Sequence, residues 1–190
     1  MDNTLVFVDD GFLSKLSKFF GKGNYVKFHR KDFAEFLCKN EKLNCEKIFI
    51  YTAPPFQSRN LNKSETKRKE GYDKFVNKLK KNKIIVREGR CQRLKLDGEF
   101  IYRQKAVDIL LSIDLMSVNM DFPNVKKIIL VSSDSDFVPV INKLKKQGIK
   151  TILYTYYDKK RNSNFSRCND LVKSVSKYVL IERGDVDKND

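Results

Sequence analysis

Short runs of consecutive apolar residues alternate along this chain with segments in which apolar residues recur every three or four positions. Uninterrupted apolar runs are typical of strands buried on both faces, and the longer spacing is typical of helices with one buried face. The runs predict strands at 4–8, 47–51, 84–86, 127–132, 150–155 and 178–181. The spaced segments predict helices at 12–20, 31–39, 64–81, 104–119, 137–147 and 165–175.

The alternation of strands and helices predicts an α/β fold in three layers. We expect a mostly parallel central sheet of five to six strands, flanked by helices on both faces. One segment departs from this pattern, because residues 91–96 and 99–103 flank Asp97-Gly98, a dipeptide typical of hairpin turns. We therefore expect an inserted β-hairpin. A single domain should cover residues 1–182, and residues 183–190 are expected to form a flexible tail.

The charge of the chain is strongly positive and unevenly distributed. The formal net charge is +15, and residues 57–105 hold 16 Lys and Arg against 6 Asp and Glu. Such an asymmetry favours binding to a polyanion, of which nucleic acid is the default candidate. The alternative is a lysine-rich surface that is merely solvated.

Several classes of protein are disfavoured by the same sequence. No apolar run approaches the roughly 20 residues needed to span a bilayer, and no secretory signal is visible, so we expect a cytoplasmic protein without a membrane partner. Four cysteines lack C-x-x-C spacing, and His29 is the single histidine. Zinc binding and histidine-dependent chemistry are therefore unexpected, and the cysteines are expected to be reduced thiols.

Two of the predicted strands end in pairs of aspartates. Asp9-Asp10 follows the first strand, and Asp134 and Asp136 follow the strand at 127–132. The carboxyl ends of parallel strands share one edge of a sheet, so these acids converge if the two strands are neighbours. Clustered carboxylates repel one another unless a divalent cation lies among them. A different role remains open for one of Asp134 and Asp136, which could cap the following helix.

The predicted helix at 104–119 carries two further acids. It is apolar nearly all round, so we expect it to be buried and Asp108 to need a partner. Lys105 and Ser112 lie within one turn of Asp108, so an ion pair with a lysine is the ordinary alternative to a metal site. Asp114 lies about 120° further round the helix and is expected to have a different role.

Four segments occur together in an order that matches a known family. They are Val8-Asp9-Asp10-Gly11, Tyr51-Thr52-Ala53-Pro54-Pro55, Gln104-Lys105-Ala106-Val107-Asp108 with Asp114, and Ser132-Ser133-Asp134-Ser135-Asp136-Phe137-Val138-Pro139. Over residues 4–181 the chain resembles the NYN domain, a branch of the PIN-like ribonucleases. The resemblance implies a PIN-like fold and Mg²⁺- or Mn²⁺-dependent cleavage of RNA, expected to be endonucleolytic.

The resemblance also implies the site residues. Asp9, Asp108, Asp134 and Asp136 match the catalytic acids that bind the metal, and Asp114 is a further metal candidate. Hard oxygen ligands suit Mg²⁺ or Mn²⁺ rather than zinc. The acids alone would repel RNA, so basic residues are expected to bind it: Lys105, Lys63, Lys67, Arg68, Lys69, Arg90, Arg93 and Arg103. Aromatic side chains that could stack on unpaired bases are Tyr51, Phe56 and Tyr102. The alternative is a place in the core, which is more common for aromatic residues in such positions.

Three functional hypotheses follow from these residues. The first is a metal-dependent ribonuclease. The second is an RNA-binding module whose nuclease site has decayed, because Phe12 replaces the Asn of the family's D-G-x-N segment. The third is a phosphatase with Asp9 as the nucleophile, which is less favoured because Gly11 stands where a second acid is expected. The sequence leaves a homodimer open.

Overall fold

The computed structural model describes residues 1–158 and 165–187. The strands of these residues are β1 (Asn3–Asp9), β2 (Asn44–Thr52), β3 (Ile85–Glu88), β4 (Arg90–Leu96), β5 (Glu99–Lys105), β6 (Lys127–Val131), β7 (Lys150–Thr155) and β8 (Lys177–Leu180). The helices are α1 (Asp10–Phe20), α2 (Arg30–Asn40), α3 (Lys63–Lys81), α4 (Val107–Asp121), α5 (Val138–Lys146), α6 (Asn169–Ser174) and α7 (Arg183–Asp187). A 3-10 turn at Ser135–Phe137 precedes α5.

Six of the strands form a parallel sheet in the order β3-β2-β1-β6-β7-β8. Alternate residues of β1 enter different layers: Val6 and Val8 pack in the same cluster as α1 and α2, and Leu5 and Phe7 pack in the cluster of α4 and α5. All four are at most 1% exposed. Burial on both faces explains why the strand sequences are uninterrupted apolar runs. The predicted α/β three-layer fold is confirmed.

The two strands that end in aspartates are direct neighbours. β1 pairs in parallel with β6, and Val8 lies opposite Val131. This register places Asp9 and Ser132, the next residue on each strand, side by side at the carboxyl edge of the sheet. The adjacency that the sequence argument required is therefore present.

The inserted hairpin stands apart from the central sheet. β4 and β5 form a separate two-stranded antiparallel sheet in which Arg93 pairs with Tyr102. Asp97 and Gly98 both have positive φ, at 49° and 85°. A two-residue turn of this kind matches the twist of the flanking strands, so the predicted turn is confirmed.

Helix α4 differs from the prediction. We expected it to be buried all round, but it buries only the face that includes Leu111 and Leu115. On its other face the large side chains are exposed, by 63% at Ile109, 55% at Ile113 and 80% at Met120. The apolar composition was right, but it could not show that only one side of this helix has a layer to pack against.

The carboxyl terminus also differs from the expected tail. Residues Arg183–Asp187 form α7, and Val186 is fully buried in the core. Residues 188–190 lie outside the described part of the chain. The helix predicted at 165–175 is shorter, at Asn169–Ser174. Among the described residues, no helix is both long enough and apolar enough to cross a bilayer.

Candidate active site

Asp9 lies where β1 ends and α1 begins. Its Oδ1 accepts a hydrogen bond from the backbone N–H of Phe12 at 3.1 Å, which makes Asp9 the N-cap of α1. Its Oδ2 accepts a bond from the Ser132 hydroxyl at 3.3 Å. Burial, together with the charges of Asp108 and Asp10, raises the pKa of Asp9 to about 6, against the lowering effect of these two hydrogen bonds. The carboxylate is thus held in a fixed orientation at a cost in desolvation.

Ser132 connects Asp9 to the second acidic segment. Its buried hydroxyl donates to Asp9 and accepts a bond from the backbone N–H of Asp134 at 3.2 Å. Asp134 in turn accepts a bond from the backbone N–H of Asp136 at 2.9 Å and is the N-cap of the 3-10 turn. Of the two acids, Asp134 is therefore the one that caps. Asp136 is exposed.

Asp108 lies in the first turn of α4 and is exposed, unlike the buried acid that we expected. Its pKa is raised from its ordinary value by partial desolvation first and then by the charges of Asp134 and Asp136, whereas Lys15 lowers it. The charges that act on Asp108 are thus those of the other acids and of Lys15, not of the neighbouring Lys105. This pattern favours a shared acidic site over a simple ion pair within the helix.

The acids from these separate elements border one open cleft. Its volume is about 970 Å³, and its lining includes Asp9, Asp108 and Asp134. Asp136 borders a neighbouring shallow surface together with Asp108. As the side chains are placed, no group of three acidic, cysteine or histidine residues within 1–158 and 165–187 is close enough to hold one metal ion. The structure thus brings predicted site acids to one cleft, but it does not arrange them as a coordination shell.

Asp114 lies outside this cleft. Its carboxylate accepts a hydrogen bond from the Tyr51 hydroxyl at 2.7 Å and two from the Arg87 guanidinium at 2.9 and 3.2 Å. Burial and the Asp114 carboxylate raise the pKa of Tyr51, and Asp114 raises that of Arg87. The network joins α4 to β2 and β3. Tyr51 is fully buried, so of the two roles that the sequence left open for it, a core position is the one that the structure shows.

The predicted RNA-binding residues fall into different places. Arg103 lines the acidic cleft, and Arg90, Arg93 and Lys105 lie on the hairpin. The basic residues of the first turns of α3 do not line the cleft. Within α3, Lys69 forms an ion pair with Asp73. That group consists of Lys63, Lys67, Arg68 and Lys69.

Sequence reasoning missed two basic residues that line the cleft, Lys15 and Lys18. Gln104, which belongs to one of the four family segments, lines it as well. The two lysines are exposed on α1, whose buried face includes Leu13 and Leu16. The helical spacing of those leucines would have placed both lysines on the opposite face. Nothing in the sequence showed that this face points toward the acids.

The residues that follow Asp9 in the chain have structural roles. Phe12, which replaces the family's Asn, is 5% exposed and packs against Phe165 with ring centroids 6.4 Å apart. The carboxylate of Asp10 is bound by the Arg30 guanidinium at 2.9 Å and by the Ser14 hydroxyl at 3.2 Å. Asp10 is therefore held by Arg30 and does not replace the missing Asn.

Comparisons with known proteins bear on this site. A sequence model of the NYN domain matches residues 4–176. Among solved structures, a crystal structure of a protein of unknown function from Vibrio parahaemolyticus is similar, with a TM-score of 0.62 at 15% identity over 97% of this chain and 95% of that chain. At so low an identity, this similarity establishes a common fold and nothing more. No curated protein matches.

Proposed function

Because this chain belongs to the NYN domain family of PIN-like nucleases, we propose that it is a metal-dependent ribonuclease that hydrolyses RNA phosphodiester bonds. Asp9, Asp108 and Asp134 are the proposed metal ligands, and Asp136 is the fourth acid beside them. Asp114 is the weakest of the predicted ligands, because its carboxylate is bound by Tyr51 and Arg87.

One observation carries this proposal. Carboxylates from the end of β1, the start of α4 and the segment after β6 border a single cleft. After burial, the charge of Asp108 raises the pKa of Asp9, and the charges of Asp134 and Asp136 raise the pKa of Asp108. Like charges brought together in this way destabilise the protein unless a cation neutralises them.

The donor set fits Mg²⁺ or Mn²⁺. The proposed donors are all carboxylate oxygens, which these hard cations prefer, and the thiol of Cys168, which also lines the cleft, is not one of them. When bound, such an ion polarises a phosphate oxygen and lowers the pKa of bound water. Because Asp108 and Asp136 are exposed, their side chains are free to change rotamer and approach Asp9.

The protein's own residues have separate roles in this proposal. The Phe12 amide and the Ser132 hydroxyl fix the orientation of the Asp9 carboxylate. Lys15, Lys18 and Arg103 line the same cleft and offset the repulsion between the acids and a phosphate backbone. One cleft therefore contains both the acids proposed for the chemistry and the basic residues proposed to attract RNA.

A second candidate function is RNA binding without cleavage. It is favoured by Phe12, which buries an aromatic ring where the family has Asn, and by the incomplete grouping of the acids. This candidate requires the same cleft and the same basic residues. It differs from the first only in that metal ions have no effect on the RNA.

The decisive experiment is cleavage of labelled RNA by the purified protein with Mn²⁺, Mg²⁺ or EDTA. We expect cleavage with either ion, none in EDTA, and none by the Asp134→Asn variant. Asp121→Asn, at the far end of α4, is the matched control and should cleave like the wild type. A circular RNA tests for endonucleolytic cleavage, because it has no ends. RNA binding without cleavage under all of these conditions would establish the second candidate instead.

A further inference from the structure

We propose that one face of the β4–β5 hairpin is a platform on which an unpaired base of a single-stranded RNA stacks beside the acidic cleft. This inference rests on the proposed function for the identity of the polymer, and it adds the recognition element and the preference for unpaired nucleotides. The platform consists of Arg93, Phe100 and Tyr102, supported by Phe56.

The strand register places these side chains on a common face. Residues two apart on β5 share a face, so Gln104, Tyr102 and Phe100 point the same way, and the last two lie opposite Arg93 and Lys95 of β4. Gln104 reaches the site, because its Oε1 lies 3.2 Å from where a Cβ on Gly11 would be. Tyr102 and Gln104 also line the cleft that contains Asp9. This face therefore runs outward from the acids, in steps of about 7 Å.

The aromatic residues of this face are exposed to an unusual degree. Phe100 is 53% exposed and Tyr102 is 50% exposed. The Arg93 guanidinium lies between two rings, 4.6 Å from the centroid of Phe56 and 4.5 Å from that of Phe100. The rings of Phe56 and Tyr102 are 5.7 Å apart. Phe56, which is partly buried, thus anchors a small stack whose outer members are open to a ligand.

The charges of the hairpin indicate the chemistry of that ligand. Its two acids, Asp97 and Glu99, are at the turn, far from the cleft. Of its basic residues, Arg93 and Lys95 lie on the same face as the rings, and Arg103, although its strand position is on the other face, lines the cleft. Arg90 and Lys105 lie on the other face. A ligand that matches both the rings and the cations must be flat and aromatic as well as negatively charged, which is the description of a nucleotide chain.

The end of the hairpin nearest the central sheet fixes the platform relative to the acids. The Gly89 amide donates to Thr52 of β2 at 2.9 Å, and a Cβ at Gly89 would lie 2.4 Å from the carbonyl oxygen of Lys105. Ala106, at the other strand end, has a left-handed φ of 67°. The two strands are therefore held tightly where they leave the sheet, and the second leads within three residues to Asp108.

Unpaired bases are the ones that such a platform can bind. In a duplex each base is already stacked between its neighbours, so its face is not available to Tyr102. In a flexible single strand the base can turn out and stack on the ring, while its phosphates contact the basic residues. The platform therefore favours single strands and loops over paired segments.

Binding without metal tests this proposal independently of cleavage. Fluorescence anisotropy in EDTA compares a short labelled single-stranded RNA with a duplex of the same sequence. We expect Tyr102→Ala to weaken single-strand binding by at least about 5-fold, since removing the ring on which one base stacks lowers the affinity by that factor or more. Tyr102→Phe should retain binding. Leu96→Ala is the matched control, because Leu96 is also 50% exposed on the hairpin but lies on the other face.

An RNA carrying a single abasic position, moved along the strand, makes the test specific for stacking. At one position the abasic change should weaken RNA binding by the wild type and leave RNA binding by the Tyr102→Ala variant unchanged. Equal loss at every position, or unchanged binding of Tyr102→Ala, would overturn the platform. If Tyr102→Ala lowers the melting temperature and fails to fold, the abasic series with the wild type still decides. Stacking without any cleavage in Mn²⁺ would refute the proposed nuclease and leave the platform standing.

Discussion

The carboxyl edge of the sheet, where Asp9, Asp108 and Asp134 border the cleft, is called the acid edge here. The acid edge and the β4–β5 hairpin are built in opposite ways. β1 has a strand on each side and is at most 1% exposed from Leu5 to Val8, so Asp9 follows a rigid, dry segment. Each hairpin strand has only the other as a neighbour, and half the surface of Tyr102 is open. The first region fixes the Asp9 carboxylate in place, and the second presents rings and cations to solvent. Changes at the first should therefore affect chemistry or folding, and changes at the second should affect affinity.

The largest expected effect is on cleavage by Asp9→Asn. We expect cleavage to fall by about a thousandfold or more, because a metal-bound carboxylate supports several kcal/mol of transition-state stabilisation. RNA binding in EDTA should be retained, because Asn keeps the cap on α1. The measurement is the single-turnover cleavage rate with saturating Mn²⁺.

Asp114→Asn provides the contrast within the same experiment. Its carboxylate is bound by Tyr51 and Arg87, so we expect a loss of stability with cleavage retained in the folded protein. A fall in cleavage of similar size for both variants would show that the acid edge extends further along α4 than the cleft indicates.

The next prediction compares the loss of stability caused by a Phe→Ala substitution in each of the two regions. Phe7 is 1% exposed and stacks on Phe49 with centroids 5.0 Å apart, so Phe7→Ala should lower the free energy of unfolding by about 3–5 kcal/mol. Phe100 is half exposed, and Phe100→Ala should cost under about 1 kcal/mol, mainly its contact with Arg93. Chemical denaturation measures both. Equal losses would mean that the hairpin is part of the folding core.

The two regions also differ in how far the sequence predicts them. The acid edge follows from apolar runs that end in Asp9 and Asp134, because parallel strands bring their carboxyl ends together. The hairpin follows from its turn dipeptide. The exposed face of α4 and the contact of Asp114 with Arg87 could not be predicted, since each depends on which elements pack side by side. Local spacing contains no information about that.

A smaller effect is the pH dependence of stability that Asp9 confers without metal. Its pKa is about 6 in the folded protein against 3.8 ordinarily, so the folded state holds its proton more tightly. Below about pH 4 the group is protonated in both states and has no effect. Between pH 4 and 6 the wild type should lose stability relative to Asp9→Asn, by about 1–3 kcal/mol in total at ~1.4 kcal/mol per unit.

Denaturation of both proteins in EDTA across this pH range measures that difference. Added Mg²⁺ should restore the wild type at pH 7 and leave Asp9→Asn unchanged, because an ion that binds the folded state stabilises it. Parallel stability curves for the two proteins would show that burial and the neighbouring charges do not raise the pKa of Asp9 in the folded protein. The acid edge would then differ from the hairpin in rigidity alone.

The smallest effect is on the salt dependence of RNA binding, and it tests whether the hairpin contacts the phosphates. Each neutralised phosphate contributes about 0.7 to the slope of log K against log salt for a single strand. Arg103→Gln, on the cleft wall, should lower the slope by about that amount. Lys150→Gln should not, because exposed Lys150 begins β7 at the opposite edge of the sheet. If both variants lower the slope equally, RNA is held by the overall charge of +15, and the hairpin has no special role in binding the backbone.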